Sequence, residues 1–163
     1  MTALKQQVKN PDRVSVFVDG KYGFSLELGE ILTEKLKIGI EIDQARLKTL
    51  KKLSSDGKLR MRTMAWLLNR PHSTRELRDY LVRKKIDEAL ITKLTKEFTD
   101  KAYLNDEKYA LWLAELRSRA GRSNRAIRSE LFSKGIDREV ADRVLEESDE
   151  LGRLKDLAAK KRR

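Results

Sequence analysis

Apolar residues recur at helical spacing along most of the chain and alternate with polar residues only near its start. Leu77 and Leu81, for instance, lie one helical turn apart, and this spacing predicts an amphipathic helix. Residues 13–18 and 21–27 alternate instead, and the Asp19-Gly20 pair between them is typical of a type I′ hairpin turn. The pattern therefore predicts a mainly α-helical protein with a small β-hairpin-containing module at its N-terminus.

The N-terminal module is expected to need a cover, because a lone two-stranded hairpin is only marginally stable in water. A short helix over residues 30–36 is expected to supply this cover. Its inward side chains are predicted to be Ile31, Leu32 and Leu36. Residues 1–11 show no period and are expected to be frayed, whereas residues 38–42 alternate and indicate either a third strand or an extended arm.

The next segment is predicted to be helical with one interruption. Asp43 is a good N-cap for a helix, but Ser54–Gly57 combines residues that favour turns, so a break is expected there. We place the end of the first domain, residues 1–57, at this break. Helix is expected to resume after it and to end near Asn69-Arg70-Pro71.

A repeat of fifty residues organises the rest of the chain. Moving Ser73–Leu104 forward by fifty positions places it on Ser123–Leu154 without a gap, and nine of the 32 paired positions are identical. A fixed-period repeat defines the building unit of a fold. We therefore predict two three-helix repeats, residues 58–104 and 105–154. Residues 155–163 are interpreted as a basic tail or the truncated start of a third repeat.

Each repeat contains the residues that begin and end helices. Ser73 and Glu76 form a predicted capping box, Asp87 and Asp137 are predicted caps of the third helices, and Asn105 is the predicted cap of the helix that opens the second repeat. Gly135 suits a left-handed position after a helix. The inward side chains of the helix after Asn105 are predicted to be Tyr109, Ala110, Leu113 and Leu116.

Composition excludes several classes of protein and leaves a binding protein as the main interpretation. The chain has no cysteine, which excludes disulfides and thiolate chemistry and is compatible with the cytoplasm. Because no apolar run approaches eighteen residues, no membrane partner is expected. The formal net charge of +11 favours an anionic partner such as nucleic acid, although a solvated helical surface with excess lysine gives the same sum.

Positive charge is concentrated at equivalent places in the two repeats. Six basic groups and one acid lie between Arg117 and Lys134, and six basic groups and two acids lie between Arg70 and Lys85. Arginine forks suit phosphate or carboxylate, so a spaced strip of arginines is expected to meet DNA or an acidic protein surface. The candidate binding residues are Arg70, Arg75, Arg78, Lys84, Arg117, Arg119, Arg122, Arg125, Arg128 and Lys134.

No catalytic or metal site is predicted, and no cofactor is expected. His72 is the only histidine and is interpreted as a loop residue without the partners that catalysis or metal binding needs. Two tryptophans and several tyrosines on the helices suggest base stacking, but at helical spacing such residues belong more often to a core. The chain is therefore interpreted as a binder and not as an enzyme.

Several motifs in this order resemble the RecX regulatory proteins of bacteria. The resemblance is carried by Arg70-Pro71-His72-Ser73-Thr74-Arg75-Glu76-Leu77, by Tyr103-Leu104-Asn105-Asp106-Glu107-Lys108-Tyr109-Ala110, and by Ile127-Arg128-Ser129-Glu130-Leu131 followed by Lys134-Gly135-Ile136. It covers residues 58–154 well, and the hairpin module looks like the extra module of longer members. The family usually has three repeats, whereas two and the start of a third are recognisable here.

The resemblance implies tandem three-helix repeats and a regulator that binds the RecA recombinase filament on single-stranded DNA. Such a regulator inhibits or modulates the filament's extension, ATPase, strand-exchange and coprotease activities. The candidate residues named above would then contact RecA or DNA, with contact to single-stranded DNA weak or indirect, and a monomer is expected. A helix-turn-helix transcription factor that binds double-stranded DNA stays open as the alternative, because three short helices with basic residues also describe that class.

Overall fold

The structure, a computed structural model, describes residues 1–162. This part of the chain contains a three-stranded sheet and seven helices, which confirms the predicted fold class. The strands are β1 (Ala3–Gln6), β2 (Arg13–Val18) and β3 (Lys21–Glu27). The helices are α1 (Leu28–Thr33), α2 (Gln44–Asn69), α3 (Thr74–Arg83), α4 (Glu88–Asp100), α5 (Asp106–Arg119), α6 (Asn124–Ser133) and α7 (Arg138–Lys161).

The chain divides into two compact units between Thr63 and Met64, so α2 contributes to both. In the first unit the antiparallel strands lie in the order β1-β2-β3. Asp19 and Gly20 have φ angles of 51° and 77°, as a type I′ turn requires, which confirms the predicted hairpin. One face of the sheet forms a core with α1 and α2, in which the buried residues are Val14, Val16, Phe24, Leu26, Ile31, Leu36 and Leu50.

The prediction that residues 1–11 are frayed is wrong. β1 pairs with β2 from Ala3↔Phe17 to Gln6↔Val14, and a strand of four residues is too short to show a period in the sequence. The segment 38–42 forms no strand and acts as an arm beside the N-terminus. The Met1 ammonium donates to the Ile40 carbonyl at 2.7 Å, and the Gly39 N–H donates to the Met1 carbonyl at 3.0 Å.

The predicted cover helix also differs in its limits and its face. α1 ends at Thr33, and Lys35 adopts a φ of 51°. Leu36 therefore reaches the core from the turn after the helix, where its N–H donates to the Ile31 carbonyl at 3.0 Å. Ile31 and Leu36 are buried as predicted, but Leu32 is 72% exposed.

The predicted break at Ser54–Gly57 is wrong, because this segment lies inside α2, a continuous helix of 26 residues. Ser54 and Gly57 instead allow α2 to approach the sheet closely. The Ser54 hydroxyl accepts from the Ser25 N–H at 3.3 Å, and a Cβ on Gly57 would lie 3.1 Å from Nη1 of the buried Arg13. The domain limit at residue 57 stays a prediction without the break that suggested it.

The second unit contains two sets of three helices, each packed around its own apolar side chains. In the first set α3 packs against α4, and Leu77, Leu81, Ile91, Leu94 and Phe98 are buried. In the second set α5, α6 and α7 all contact one another. Its buried core holds Tyr109, Ala110, Leu113, Ala114, Ile127, Leu131, Ile136, Ala141, Val144 and Leu145.

Most of the predicted helix limits are confirmed. The Ser73–Glu76 capping box is present, and the Asp87 and Asn105 side chains accept from backbone N–H groups at 2.8 and 3.0 Å. Gly135 has a φ of 78°. Asp137 occupies the N-cap position of α7 without a side-chain cap hydrogen bond.

Two predictions for the second repeat are wrong. Leu116 does not face inward but is 41% exposed, because it lies beyond the buried stretch of α5. The third helix of this repeat does not end at Leu154, since α7 continues to Lys161. Residues 155–161 therefore extend α7, and Arg163 lies outside the described residues. No helix within residues 1–162 has the length and apolar character needed to cross a bilayer.

Candidate functional site

The second helix of each repeat begins in the same way and therefore presents its arginines equivalently. The Ser73 hydroxyl accepts from the Glu76 N–H at 3.1 Å, and the Ser123 hydroxyl accepts from the Ala126 N–H at 3.2 Å. Each serine thus satisfies one of the unpaired N–H groups of a helix N-terminus. The arginines two and five residues after each serine start from matched positions on α3 and α6.

The later arginine of each helix is engaged within its own repeat. Arg78 donates from both terminal nitrogens to the two oxygens of Glu88, at 2.6 and 2.8 Å. Arg128 donates from Nε to Oδ1 of Asp142 at 2.8 Å. Both guanidinium groups therefore tie the second helix of a repeat to the third, which leaves less of each to contact a partner.

The earlier arginines lie in different surroundings despite their equivalent positions. Neither Arg75 nor Arg125 has an ion pair within residues 1–162. The stem of Arg75 lies so close to the turn after α6 that a Cβ on Gly135 would come within 2.9 Å of the Arg75 Cβ. Arg125 is exposed at the start of α6. Of the four arginines that follow Ser73 and Ser123, Arg125 is thus the one that is both exposed and without an ion pair or an inter-repeat contact within residues 1–162.

The two repeats meet at a seam centred on the carboxylate of Glu76, which is only 12% exposed. From the first repeat, Arg70 donates to it at 3.0 and 3.3 Å, and His72 lies 3.2 Å away. From the second repeat, the Tyr109 hydroxyl donates at 3.4 Å and Lys134 lies at 3.3 Å. One carboxylate thus joins residues of α3, α5, the C-cap of α6 and the loop after α2.

A second contact across the seam satisfies the start of α3. The Thr74 N–H donates to Oδ1 of Asp106 at 2.7 Å. Asp106 is the first residue of α5, so the carboxylate that begins one repeat's helix also caps a helix of the other. These contacts fix the relative position of the two repeats through polar groups whose charges are matched.

Burial and charge shift the pKa values of the groups at the seam. Burial alone raises the pKa of Glu76, but the hydrogen bond and charge of Arg70, followed by those of Lys134, outweigh it and lower the pKa overall. Burial lowers the pKa of His72, with the charge of Arg70 acting in the same direction. Burial and the negative charge of Glu76 raise the pKa of Tyr109. The seam therefore holds an ionised carboxylate at neutral pH.

The aromatic residues near the seam stack on one another. The Trp66 ring centroid lies 3.6 Å from that of His72 and 4.3 Å from that of Tyr80, with interplanar angles of 28° and 11°. Two rings this close to one face of Trp66 would overlap, so they cover opposite faces. His72 also contacts the Trp66 carbonyl at 3.1 Å. Trp66 is therefore closed to base stacking, in favour of the packing interpretation.

The remaining candidates include cations that stack on aromatic rings or pair along a helix. The Arg70 guanidinium lies 5.2 Å from the ring centroid of Trp112, and the Lys84 ammonium lies 5.0 Å from that of Tyr80. Both distances are typical of cation–π contacts. Arg119 pairs with Glu115 one turn earlier on α5.

Two further candidates, Arg117 and Arg122, line an open cleft of about 460 Å³ beside α6, which we call the α6 cleft. Arg117 donates from Nε and Nη2 to the two oxygens of Glu130, at 2.8 and 2.7 Å. The pKa of Glu130 is lowered first by this hydrogen bond and also by the charges of Lys134 and Arg122. The cleft is lined by Arg117, Arg122, Ala126, Ser129, Glu130 and Ser133.

The α6 cleft has the composition of a site for an oxyanion. Three cations act on one carboxylate, so positive charge is in excess, and Ser129 and Ser133 add hydroxyl groups to the wall. Arg125 lies one helical turn before Ser129 and hence on the same side of α6. Arg122 and Arg125 make no ion pair within the described part of the chain. Their guanidinium groups are available to a phosphate or a carboxylate.

The structure therefore gathers some of the predicted residues and separates others. Arg70 and Lys134 meet at Glu76, while Arg117 and Arg122 meet at Glu130. The residues that lie outside these two clusters are Arg75, Arg78, Lys84, Arg119, Arg125 and Arg128. Nowhere in residues 1–162 do three or more metal-binding side chains come together.

Sequence reasoning missed the acidic centres of both clusters and the role of the histidine. Glu76 was predicted only as part of a capping box, and Tyr109 only as a core residue or a residue that stacks on bases. His72 does lie in a loop, but it is 5% exposed and packed between polar and aromatic partners. The sequence does place an acidic residue among the recurring basic residues of each repeat. That pattern does not indicate that residues of different repeats contact each other.

Two family models match the chain. The model of the RecX N-terminal domain matches residues 1–43, and that of the second three-helix domain of RecX matches residues 105–145. The chain belongs to the RecX family. The first match covers the sheet, α1 and the arm, and the second covers α5, α6 and the first part of α7.

Curated RecX proteins are similar over most of this chain. The regulatory protein RecX of Listeria monocytogenes serotype 4a (strain HCC23) is 30% identical over 152 residues, which cover 92% of this chain and 56% of that protein. RecX of Bacillus subtilis (strain 168) is 28% identical over 146 residues, covering 89% and 55%. The chain thus spans about half the length of these relatives.

A solved structure shares the fold. A crystal structure of a regulatory protein RecX superposes with a TM-score of 0.75 at 20% sequence identity, over 90% of this chain and 72% of that one. At this identity the likeness concerns the fold. This chain therefore has the fold of that protein.

Proposed function

We propose that this chain binds the RecA recombinase filament on single-stranded DNA and restrains its growth and its activities. The activities meant are extension, ATP hydrolysis, strand exchange and coprotease function. The proposal starts from membership of the RecX family of regulatory proteins. The observation in the molecule that supports it best is the α6 cleft, which Arg122 lines. Arg125 lies on the same side of α6, and both arginines are exposed and make no ion pair within residues 1–162.

The cleft suits either anionic surface that a nucleoprotein filament offers. Guanidinium groups bind carboxylates and phosphates with paired hydrogen bonds, so the cleft is able to engage acidic side chains of a protein or the DNA backbone. We propose that protein contacts dominate and that contact with single-stranded DNA is weak or indirect. Regulation then follows from binding alone, since a ligand that lies across successive subunits opposes their addition and rearrangement.

The contacts at the seam hold the two repeats rigidly together, as this mechanism requires. A repeat pair held by polar contacts of Glu76 and Asp106 presents its cations at a fixed spacing. A periodic polymer rewards such a fixed spacing, because the second contact becomes intramolecular once the first has formed. On this proposal the contact of Arg75 with Gly135 sets the spacing of the two repeats. Arg125 contacts the RecA filament.

A charge-reversal pair tests the proposal in an ATPase assay with RecA and single-stranded DNA. The variant Arg122→Glu with Arg125→Glu is expected to inhibit ATP hydrolysis at least about tenfold more weakly than the unaltered protein, a loss of about 1.4 kcal/mol of binding. The control is Lys48→Glu with Lys51→Glu on α2, which changes net charge equally at exposed positions. Equal inhibition by both variants, with helical circular dichroism intact, would contradict a role for the cleft.

A helix-turn-helix transcription factor remains the alternative, and a single observation favours it. Each repeat offers a short second helix whose N-terminal part carries arginines at matched positions, as a recognition helix does. A sequence-specific reader should prefer one duplex over others by a large ratio. Binding to a defined duplex about a thousandfold tighter than to random DNA, without an effect on RecA, would support that alternative instead.

A further inference from the structure

The sheet of the first unit has a second face, which points away from the core. Val14, Val16 and Val18 of β2 pack on the core side. Successive side chains of a strand point to opposite faces, so Ser15 and Phe17 lie on the second face. Phe17 is half-buried there. The second face therefore carries a large aromatic side chain that the core does not use.

α2 closes one end of the second face, while the other end is exposed within residues 1–162. At the closed end Arg13 is buried and donates to the Ser25 hydroxyl at 3.1 Å. A Cβ on Gly57 of α2 would lie 3.1 Å from Nη1 of this arginine. At the other end, beside the hairpin turn, Tyr22 is 52% exposed and Lys5 is exposed.

A β-bulge at Gly23 brings Tyr22 to the second face. Phe17 pairs with Tyr22 and the residue before it pairs with Phe24, so Gly23 has no partner on β2. A Cβ on Gly23 would lie 3.3 Å from Cγ2 of Val18, on the core side. In a regular strand Tyr22 would share the core face of Phe24, two residues later. The bulge therefore redirects the tyrosine away from the core, as bulges do elsewhere in sheets.

The exposed end of the second face combines aromatic rings with a cation. The ring centroids of Phe17 and Tyr22 lie 6.1 Å apart at an interplanar angle of 80°. The Lys5 ammonium lies 5.3 Å from the Phe17 centroid and makes no ion pair within residues 1–162. Glu27, the single acid of the three strands, lies beside Arg13 at the closed end. The exposed end is thus basic as well as aromatic.

This combination suits a single-stranded nucleic acid. Unpaired bases stack on aromatic side chains, and basic side chains beside the rings follow the phosphate backbone. In a duplex the bases stack on one another, so the rings would stay unused. An acidic protein surface would likewise engage the lysine without requiring an exposed tyrosine. A single strand is therefore the partner that uses both features of this surface.

We propose that the exposed end of the sheet, formed by Lys5, Phe17 and Tyr22, binds single-stranded nucleic acid. A base stacks on the Tyr22 ring, and Lys5 pairs with a neighbouring phosphate. The inference goes beyond the proposed function, because it requires neither RecA nor the α6 cleft. It assigns the weak contact with single-stranded DNA to the first unit, whereas Trp66 in the second unit is closed to stacking.

Fluorescence anisotropy with a labelled oligothymidylate of about 15 nucleotides, without RecA, tests the role of the ring. Tyr22→Ile keeps a residue that strands favour but removes the ring, and it should weaken binding about fivefold or more. Tyr22→Trp should restore binding. Amide hydrogen exchange of β2 checks that the sheet remains folded in both variants.

Tyr103→Ile is the matched control. Tyr103 is 43% exposed and lies edge-on to Phe98, with ring centroids 6.4 Å apart, but it belongs to a helical repeat. Its replacement should leave the affinity for oligothymidylate unchanged. Equal affinities of the unaltered chain and Tyr22→Ile, or equal weakening by Tyr22→Ile and Tyr103→Ile, would overturn the proposal.

An abasic strand of the same length separates stacking from charge. It keeps the phosphates but has no bases, so it should bind the unaltered chain more weakly, and Tyr22→Ile should not weaken it further. Lys5→Gln should reduce the slope of log affinity against log salt concentration by about 0.7, the value for one phosphate contact on a single strand. Equal affinity for the abasic strand and oligothymidylate would show binding by charge alone and would contradict stacking.

Photocross-linking locates the contact in the unaltered chain. A single strand that contains iodouracil should cross-link to Tyr22 or Phe17, as mapped by mass spectrometry. The same cross-link should form in Arg122→Glu with Arg125→Glu, so failure of this inference and failure of the proposed function are distinguishable. Cross-links confined to the helical repeats would overturn the assignment to the sheet.

Discussion

Removal of the Glu76 carboxylate should destabilise the helical repeats far more than removal of a surface carboxylate. Glu76 is 12% exposed and is contacted by Arg70, His72, Tyr109 and Lys134 within 3.4 Å. Breaking a buried charge network by removing one partner typically destabilises by about 3–5 kcal/mol. Arg70 and Lys134 are each 39% exposed, so water can solvate their charges once the carboxylate is removed. We therefore expect Glu76→Ala to lower the free energy of unfolding by about 2–4 kcal/mol.

A matched control separates this network from ordinary surface pairing. Glu88 also accepts from both terminal nitrogens of an arginine, but it is 63% exposed and its partner Arg78 is 51% exposed. Exposed pairs contribute little to stability, so Glu88→Ala should destabilise the chain much less than Glu76→Ala. Glu76→Gln keeps the shape and loses the charge, and we expect an intermediate loss of about 1–2 kcal/mol.

Urea unfolding followed by tryptophan fluorescence measures these differences where they arise. The two tryptophans of the chain lie at the seam, Trp66 stacked on His72 and Trp112 beneath Arg70. At about 2–4 °C per kcal/mol for a chain of this size, Glu76→Ala should lower the thermal midpoint by about 4–16 °C. If Glu76→Ala loses no more stability than Glu88→Ala, the carboxylate does not hold the repeats together.

Three further changes probe single contacts. Gly135→Ala should destabilise by about 2–4 kcal/mol, since its φ is 78° and its Cβ would meet Arg75 at 2.9 Å. Gly121→Ala, with a φ of 76° and open space, should lose only about 1–2 kcal/mol in the same urea titration; equal losses would argue against the contact. His72 has a pKa below its ordinary 6.5, so stability should fall as pH drops below about 6.5, by at most about 1.4 kcal/mol per unit. His72→Gln should remove this fall in unfolding titrations between pH 7.5 and 5.5, and its persistence would assign it to another group. Because the pKa of Glu76 is lowered, its contribution should persist to lower pH and disappear only as the carboxylate protonates, a step that Glu76→Gln should abolish.

Helix limits were predictable because they depend on neighbours in the sequence. Ser73, Asp87 and Asn105 each satisfy an N–H three residues later, so the residue type and a short spacing suffice. The same local reasoning failed at Ser54–Gly57, where turn-forming residues stand inside α2. There the sheet overrides local preference, because small side chains admit Ser25 and Arg13.

The candidate binding surface was predictable in composition but not in arrangement. The repeat correctly placed arginines at matched positions, yet the acids that engage them do not follow its register. Glu88 holds Arg78, but the residue fifty positions later is Arg138, and Arg128 turns to Asp142 instead. Which cations are available to a partner thus depends on packing between helices, and the sequence period carries no signal of it.

The affinity for assembled RecA filaments tests the central claim most directly. Labelled protein should bind filaments formed by RecA on single-stranded DNA with ATP more tightly than it binds RecA alone or the DNA alone. Arg122→Glu with Arg125→Glu should weaken filament binding by about tenfold or more, while Lys48→Glu with Lys51→Glu leaves it nearly unchanged. Equal affinity for filament and bare DNA, or equal weakening by the two variants, would contradict a regulator that acts through the α6 cleft.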